Sequence, residues 1–386
     1  MNCNADLDVV IVGGGPAGSA AGIELARAGR RVAILERTAA MHDKVCGDFL
    51  SGEAVEDLAE LDVDTGGLGS ALIRRVSLLG GLCRSSATLP FVAQSVTRRV
   101  LDEALLRSAA ECGVLVLRGH AAESLHRVDG AWRVDVASAS GSYMLCAPDV
   151  FVATGKHDMR GLPRPEGEHS GLVGLKMYLR LAPAQTAALE GGIEIALFDE
   201  GYGGLSLVEE GVANLCFVMN RKALRSLEKG WDAVAAMLRR HSHLRTRLEG
   251  AETLLARPLA ISPIPYGFVR REAIAPGVWS GGDQAAVIPS FTGDGVALAL
   301  HSGRLAARMM LEGEGAEAFQ REFCEQVRRQ VARATVLSRA LIEQPQRALV
   351  ELAARLLPGA LTMVAAGTRL QPRYRISQCE NSCAVA

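Results

Sequence analysis

The sequence predicts an α/β fold in which a Rossmann-type domain contains an inserted antiparallel-sheet domain and is followed by a C-terminal helical region. Three observations predict this class. The apolar run 8–12 leads into a glycine turn and a helix-spaced segment. Glycine turns divide residues 170–220 into short apolar segments, which is typical of antiparallel strands. A strand at 278–282 then precedes a helix at 295–311, so the chain returns to the first domain.

The first unit, residues 6–37, has the pattern strand, turn, helix and strand, with glycines at 13, 15 and 18. Gly13 allows a sharp turn, Gly15 lets the backbone approach a pyrophosphate, and Gly18 lets the helix pack close to the sheet. The pyrophosphate would face the positive helix N-terminus. Glu36 lies 18 residues after Gly18, near the offset of about 20 expected for an acid that accepts from a ribose hydroxyl. The dinucleotide contacts predicted in this unit are Gly13, Gly15, Pro16, Ala17, Gly18, Glu36 and Arg37.

The elements after this unit divide the chain into three parts. Residues 72–92 alternate and predict strands of a second sheet, whereas 96–112 has the spacing of an amphipathic helix. Residues 132–146 predict a hairpin, and 150–154 predict a buried strand. We assign the chain to a discontinuous dinucleotide-binding domain at 1–70, 96–165 and 276–312, a substrate domain at 71–95 and 166–275, and a C-terminal helical region at 313–386.

Composition bounds the function. At 386 residues and 49% hydrophobic content, the chain can build a large core in a two-domain fold. A net charge of −1 and 4% aromatic residues favour a small-molecule substrate and no nucleic-acid partner. The 9 cysteines are scattered without a CxxC pair, which predicts a reducing compartment, no disulfide framework and no metal site. The oligomeric state is left open.

The apolar segments predict a cytoplasmic protein. The N-terminus lacks a basic start followed by an apolar core and a cleavage site. No uninterrupted apolar stretch approaches the roughly 20 residues of a membrane span. The nearest candidate, 349–370, is interrupted by Glu351, Arg355, Pro358 and Arg369. We interpret it as helices packed on the body of the protein, and peripheral membrane contact stays open.

Two later glycine-rich segments indicate which dinucleotide is bound. At 279–286 a strand ends in glycines and Asp283, whose carboxylate can accept from the ribityl hydroxyls of a flavin. At 289–296 glycines let the backbone approach a flat ring, and the positive end of the next helix can face the flavin. Because a single glycine fingerprint follows a strand, we expect bound FAD and a visiting nicotinamide. The flavin contacts predicted in the second segment are Pro289, Gly293, Asp294, Gly295 and Val296.

The order of these motifs resembles the FAD-dependent geranylgeranyl reductase-like family, within the p-hydroxybenzoate hydroxylase-type flavoproteins. The motifs are VGGGPAG, KVCGDFLS, TRRVLDEAL and GGDQAAVIPSFTGDGVALAL, and the resemblance covers residues 6–312. It implies that Arg98 and Asp283 contact FAD. It also implies that Cys46 lies at the substrate side of the flavin, where a thiol can donate a proton. Cofactor contacts are further assigned to Cys46 itself and to Thr154 and Gly155.

One segment departs from the family. The family's Tyr-Gly-Trp-x-Phe-Pro run corresponds to residues 202–207, where the Tyr-Gly start is kept. We predict that Tyr202 lines the pocket as a second catalytic residue beside Cys46. The Trp, Phe and Pro are replaced by Gly204, Ser206 and Leu207. This change reshapes the cavity and disfavours a polyprenyl substrate, while the missing Trp-x-Trp-x-Ile-Pro run disfavours halogenation.

The sequence therefore predicts an FAD-dependent oxidoreductase for an apolar or aromatic small molecule, with NADPH or NADH as the transient reductant. Reduction of a carbon–carbon double bond is favoured because Cys46 lies in its motif. A flavin-dependent monooxygenase that tailors a natural product is the alternative, and a non-catalytic flavin-binding protein is a further one. His42 and Asp48 flank Cys46 and are interpreted as surface or capping residues rather than proton carriers.

Overall fold

Strands and helices alternate at the start of the chain, strands dominate its middle, and helices fill its end. The computed structural model describes residues 7–81, 84–199, 201–227, 230–357 and 359–376. The strands are β1 (Val9–Val12), β2 (Val32–Glu36), β3 (Phe49–Leu50), β4 (Ala71–Leu79), β5 (Arg84–Ser95), β6 (Leu115–Arg118), β7 (Ala121–Val128), β8 (Ala131–Ser138), β9 (Gly141–Ala147), β10 (Asp149–Val152), β11 (Leu172–Arg180), β12 (Gly192–Phe198), β13 (Gly201–Leu207), β14 (Ala213–Asn220), β15 (Glu252–Thr253), β16 (Leu259–Ile261) and β17 (Val278–Ser280). The α-helices are α1 (Pro16–Arg27), α2 (Gly52–Glu60), α3 (Arg98–Glu111), α4 (Pro183–Leu189), α5 (Arg221–Ser226), α6 (Trp231–Leu238), α7 (Ser242–Arg247), α8 (Gly295–Leu311), α9 (Ala316–Ile342), α10 (Gln346–Leu356) and α11 (Ala360–Gly367).

A parallel sheet with the strand order β17–β10–β1–β2–β6 forms the predicted dinucleotide-binding unit. Its inner strands are buried on both faces, which explains their continuous apolar sequences. The predicted Rossmann-type arrangement is confirmed. The predicted hairpin is also confirmed, and its strands β8 and β9 join β7 in a small antiparallel sheet.

The second sheet has the order β15–β11–β14–β13–β12–β4–β5–β3, with β16 beside β11. Its neighbours are antiparallel except for β12 and β4. On one face, alternate residues of β11, β13 and β14 pack in an apolar cluster with α6 and α7. The opposite face is directed toward the loops of the parallel sheet. Strand β3 pairs with β5 in this sheet although it lies within the range 1–70 assigned to the other domain.

Close glycine contacts join α1 to its neighbours. A Cβ on Gly18 would overlap the carbonyl oxygen of Gly13, and a Cβ on Gly303 of α8 would overlap that of Ala17. Helix α8 spans the predicted range, and α3 begins where the Thr97 side chain accepts from the Val100 amide at 3.4 Å. The first helix is therefore pressed between the sheet and α8, which fixes the position of its N-terminus.

The cysteines differ from the sequence expectation at one position. Cys46, Cys112, Cys216 and Cys324 carry free thiols, whereas Cys146 is disulfide-bonded. The bond at Cys146 was not expected from the sequence, because scattered positions say little about proximity in the fold, but a single bonded cysteine among those described is not the disulfide framework that the spacing argued against.

The packing of α8 on α9 includes a buried histidine. The His301 ring is 3% exposed, and its Nε2 lies 2.6 Å from Gln326 Oε1. Burial lowers the pKa of His301 to about 4. Because the unfolded histidine titrates near its ordinary value of 6.5, the unfolded chain binds an extra proton between these values. Stability from His301 is thus present above pH 6.5 and lost as the pH falls toward 4.

We expect His301→Gln to remove this acid sensitivity. The wild-type chain loses about 3 kcal/mol of unfolding free energy through His301 over that pH window, and the variant does not. Urea unfolding of both proteins at a series of pH values measures the difference, and subtraction cancels the carboxyl groups that titrate nearby. Parallel stability curves for the two proteins would show that His301 is not kept neutral by burial.

Candidate active site

Loops that follow β1, β10 and β17 meet at the carboxyl-terminal edge of the parallel sheet, where doubly wound folds bind ligands. Gln284 Nε2 donates to the carbonyl oxygen of Gly155 at 2.9 Å, which ties the third loop to the second. A Cβ on Gly282 would meet the Ala17 side chain at 3.2 Å, so the third loop also touches α1. Asp283 lies 4.0 Å from the Cβ position of Gly155. The structure thus brings together predicted contacts from three separate segments.

The glycine turn after β1 leaves open space above the N-terminus of α1. Gly13 has a φ of 111°, and a Cβ there would overlap the Ala153 carbonyl oxygen. Gly15 is different, because a Cβ there would meet only Arg98 Nη2, at 3.5 Å. No side chain caps the first turn of α1, in which Pro16 and Ala17 are buried. The amides of this turn therefore face a space that suits an anion.

Glu36 ends β2 with its carboxylate on the glycine turn. Its Oε2 accepts from the Gly14 amide at 3.1 Å, and its Oε1 accepts from the Thr38 amide at 2.9 Å. These two bonds orient the carboxylate, whose remaining lone pairs can accept from a sugar hydroxyl. The side chain of Arg37 is exposed. In the loop after β10, the Thr154 hydroxyl donates to the His157 carbonyl oxygen at 2.6 Å.

Arg98 lies beside the open space at Gly15. Its Nε and Nη2 donate to the two oxygens of Asp102 at 2.8 and 3.0 Å, and Lys44 Nζ lies 2.7 Å from Asp102 Oδ2. Burial opposes the charge of Arg98, but the Asp102 carboxylate and the Cys46 sulfur hold its pKa above the ordinary value. A permanently charged guanidinium therefore stands between the glycine turn and Cys46.

The N-terminus of α8 is the second uncapped helix end of the site. Gly293 has a φ of 73°, and a Cβ on Gly295 would meet nothing within 4 Å. Asp294 makes no cap, because its carboxylate binds Arg369 and accepts from Gln330 Nε2 at 3.2 Å. Burial raises the pKa of Asp294 to about 7. The Asp294 side chain therefore binds the C-terminal helices rather than the amides of α8. The remaining predicted positions flank this helix end, with Pro289 before the turn and Val296 buried in the first turn of α8.

These features fit FAD. The open space at Gly15 and the uncapped α1 suit the pyrophosphate, Glu36 suits the ribose, and the uncapped α8 suits the edge of the isoalloxazine ring. Asp283 lies between them on the loop that joins β17 to the rest of the site. The contacts of individual residues with the cofactor stay predictions.

A buried polar cluster joins the second sheet to the loop that carries Cys46. Lys176 Nζ lies 2.5 Å from Asp48 Oδ2, and neither side chain is exposed. The Tyr178 hydroxyl donates to the same oxygen at 2.8 Å. Burial raises the pKa of Asp48, against the effect of Lys176, and burial together with Asp48 raises the pKa of Tyr178. Tyr178 is therefore a neutral donor, and the Lys176 ammonium compensates the buried carboxylate.

Of the two roles predicted for Asp48, a surface position is wrong, whereas capping is confirmed at the first amide of α3. Asp48 is 1% exposed, has a φ of 55°, and accepts from the Arg98 amide at 3.3 Å. Its partners Lys176 and Tyr178 come from a strand more than a hundred residues away, so no local pattern reveals them. The segment that carries Lys176 did contain a usable signal. A lone lysine inside the apolar run of β11 requires a buried partner. His42 is half-buried and lies 3.4 Å from the Ala40 carbonyl oxygen.

The Cys46 loop is held at both its backbone and its sulfur. The Asn214 side-chain amide donates to the Cys46 carbonyl oxygen at 3.2 Å, and Lys176 Nζ donates to that of Lys44 at 3.2 Å. The Asp48 amide donates to Cys46 Sγ at 3.4 Å. Asn214 Oδ1 is buried and lacks a hydrogen-bond partner within the described residues. The Cys46 loop is therefore fixed by three hydrogen bonds, and one buried acceptor next to it has no partner within the described residues.

Tyr202 lies in a different part of the same sheet face. Its hydroxyl is 3.4 Å from Ser290 Oγ, which also receives the Tyr266 hydroxyl at 2.8 Å. Its ring packs edge-to-face on Phe291 at a centroid distance of 6.0 Å. Burial raises the pKa of Tyr202. The side chain thus supports the 289–295 loop from behind, and its catalytic role stays a prediction.

The substituted positions of the Tyr-Gly segment open this face. Strand pairing places Gly204 opposite Cys216 and Ser206 opposite Asn214. Alternation along β13 therefore directs both toward the Cys46 loop. A Cβ on Gly204 would have only a carbonyl oxygen at 3.9 Å as a neighbour. The position where the family has Trp consequently leaves room on the sheet face that carries the Cys46 loop, whereas Ser206 is buried beside Ser95.

Comparison with known proteins agrees with this geometry. A family model described as FAD dependent oxidoreductase matches residues 8–162. The menaquinone reductase of Mycobacterium tuberculosis is 29% identical over 328 residues, which cover 80% of this chain and 78% of that protein. A geranylgeranyl bacteriochlorophyll reductase-like structure from Thermoplasma acidophilum has a TM-score of 0.73 and 18% identity, and covers 95% of this chain and 94% of its own. A myxobacterial chondrochloren halogenase structure has a TM-score of 0.75 and 20% identity, over 96% and 92% of the two chains.

The fold, its glycine-lined edge and these similarities define an enzyme of the FAD-dependent oxidoreductase class. Within that class, its motifs resemble the geranylgeranyl reductase-like family, and a structure of that description shares its fold. The two similar structures share the fold while their described activities differ, so the reaction has to be argued from the residues around Cys46.

Gly15→Ala tests the fit of the cofactor. We expect it to leave the apoprotein fold intact, because its Cβ has room, but to weaken FAD binding by at least about tenfold by occupying the space of the pyrophosphate. Fluorescence titration of the apoprotein with FAD measures the affinity. Gly367→Ala in α11, which also meets nothing within 4 Å, is the matched control. Equal FAD affinities in Gly15→Ala and wild type would contradict the predicted approach.

Lys176→Met tests the ion pair. We expect a loss of about 3–5 kcal/mol in unfolding free energy, because Asp48 becomes an uncompensated buried charge. Adding Asp48→Asn should restore much of this loss, since asparagine tolerates the positive φ and removes the charge. Urea unfolding of the single and double variants gives the coupling energy. Additive losses would show that the two side chains do not stabilise each other.

Proposed function

We propose that this enzyme reduces a carbon–carbon double bond in an apolar small molecule, with NADPH or NADH as the reductant. The observation that carries the proposal is the placement of Cys46. Its thiol is held by the Asp48 amide, next to the charged Arg98 and beside an open face of the second sheet. A positioned proton donor beside a flavin site is what the reduction of an unactivated double bond requires.

The chemistry divides between the cofactor and the protein. FAD, when bound, supplies hydride transfer, and the nicotinamide is oxidised to restore it. The second hydrogen of the product arrives as a proton, which we assign to the Cys46 thiol. The Arg98 guanidinium and the Asp48 amide stabilise the thiolate that remains, by charge and by a hydrogen bond. Solvent then returns a proton to the sulfur.

The shape of the sheet face supports an extended apolar substrate. Beyond Lys176 and Asn214, the same face carries apolar side chains that pack with the C-terminal helices, and Gly204 leaves room on this face. The relative from Mycobacterium tuberculosis is a menaquinone reductase. An isoprenoid quinone is therefore the first substrate to test, although the altered segment had disfavoured a polyprenyl chain. Use of NAD(P)H agrees with the predicted cytoplasmic location.

Anaerobic turnover with menaquinone tests the reaction. We expect NADPH or NADH to reduce the flavin and the product, after any quinol is reoxidised to the quinone, to keep two added hydrogens on carbon, one of them taken from solvent in deuterated water. Mass spectrometry of the product measures both. If product formed only with oxygen present and carried an added oxygen atom, the monooxygenase alternative would replace the reductase.

The variant Cys46→Ala tests proton donation to the substrate separately from hydride transfer to and from the flavin. We expect normal reduction of the flavin by the nicotinamide but a loss of about 10²–10⁴-fold in substrate reduction, the usual contribution of a general acid. Stopped-flow absorbance resolves the two steps. Cys112→Ala, at another free cysteine, is the control and should match wild type. Unchanged substrate reduction in Cys46→Ala would remove the thiol from the mechanism.

A further inference from the structure

Helix α10 has its polarity inverted relative to a helix on the surface of a water-soluble domain. Leu349, Leu352 and Leu356 follow the helical spacing of one stripe and are 65%, 45% and 63% exposed. Arg347 and Glu351 occupy the opposite stripe and are buried. In water this orientation exposes leucines and buries charges, and both raise the free energy of the folded protein.

Specific contacts hold the helix in this orientation. Arg347 Nη1 donates to the Phe198 carbonyl oxygen at 2.6 Å, and its Nη2 donates to Asp199 Oδ1 at 2.5 Å. Arg347 Nε also lies 3.7 Å from Glu351 Oε1. Because these bonds fix the polar stripe inward, the leucine stripe must face outward.

The next helix extends the apolar surface. Met363 and Val364 of α11 are 66% and 37% exposed, and the Thr362 hydroxyl donates to the Thr88 carbonyl oxygen of β5 at 3.3 Å. Within the described residues, no single helix is both long and apolar enough to cross a membrane. Helices α10 and α11 reach that apolar composition only as a pair bent by 114°. Such a pair can lie along an apolar surface rather than cross it. We call its outer face the leucine face, formed by Leu349, Leu352, Leu356, Met363 and Val364.

Within residues 346–376 the exposed charges are arginines, although Arg347, Arg369 and Arg375 are paired with carboxylates, of which Asp199 is exposed. Residues 346–376 contain five arginines and a single acidic residue, Glu351, which is buried. Arg355 is exposed within α10, and Arg373 is exposed after α11. An apolar stripe bordered by arginines is complementary to a bilayer with anionic headgroups, because the leucines enter the acyl boundary while the guanidinium groups stay at the phosphates.

We propose that the leucine face docks on the surface of an anionic lipid bilayer. The proposal rests on the inverted helix and its charges, and it stands whether or not the substrate is an isoprenoid quinone. Two chemistries contribute to the attachment. Burial of the leucines supplies the apolar part, and attraction of the exposed arginines to the headgroups makes binding depend on anionic lipid.

Flotation of the purified holoenzyme with vesicles tests the proposal. The vesicles contain phosphatidylcholine alone or with phosphatidylglycerol, and lack isoprenoid lipids, so that binding of substrate in the active site cannot contribute. We expect wild type to float with the anionic vesicles. Leu349→Ser/Leu356→Ser should lower the partition coefficient by roughly tenfold or more, and Arg355→Glu, which changes the charge by two, by about 30-fold with anionic vesicles only.

Matched controls are available elsewhere on the surface. Leu115 is 50% exposed on β6, and Arg107 is exposed on α3; Leu115→Ser and Arg107→Glu should float like wild type. Unchanged circular dichroism and flavin absorbance confirm that each variant is folded. The proposal is overturned if wild type does not float, or if the double serine variant floats equally well. It is also overturned if that variant only converts a dimer to a monomer, because the face is then a subunit interface.

Discussion

A lysine in the middle of a buried apolar strand must either pair with a negative charge or become neutral. Lys176 Nζ lies 2.5 Å from Asp48 Oδ2. The pair is fully buried, so breaking it leaves a charge with neither water nor a partner. Because Asp48 follows Cys46 by two residues, the same ion pair sets the height of the thiol above the sheet. The arrangement of the candidate active site therefore depends on one interaction between the two domains.

Beside this pair, the site separates binding from chemistry. The glycine turn and the uncapped α1 lie at one end and Cys46 at the other, with Arg98 between them. Arg98 has two tasks in this arrangement, since its guanidinium borders the space for the pyrophosphate and also stabilises charge on the sulfur. Asp102 and Lys44 keep that guanidinium in place.

The C-terminal region acts on the site through arginines that point inward. Arg369 binds the Asp294 carboxylate, which leaves the N-terminus of α8 uncapped and open to a ligand. Arg347 in the same way fixes the polar stripe of α10 and turns its leucines outward. The helices that close the fold thus shape the flavin edge on their inner side and present an apolar surface on the outer side. A lipid-embedded substrate would meet this surface before it reached the sheet.

The sequence by itself determined the Rossmann-type unit, the flavin class and the antiparallel insertion, because these depend on local patterns of glycines and apolar residues that few folds share. It also located Cys46 and the departure at Gly204. Only the tertiary structure decided the partners of Asp48, the supporting position of Tyr202 and the inward turn of Asp294. Each of these depends on a residue from a distant strand or helix, such as Lys176 or Arg369, and a side chain's partner across the fold leaves no trace in its own segment. The tertiary structure also decided the orientation of α10. From sequence its apolar stripe would be assigned to the core, but the buried Arg347 shows that the opposite stripe faces inward.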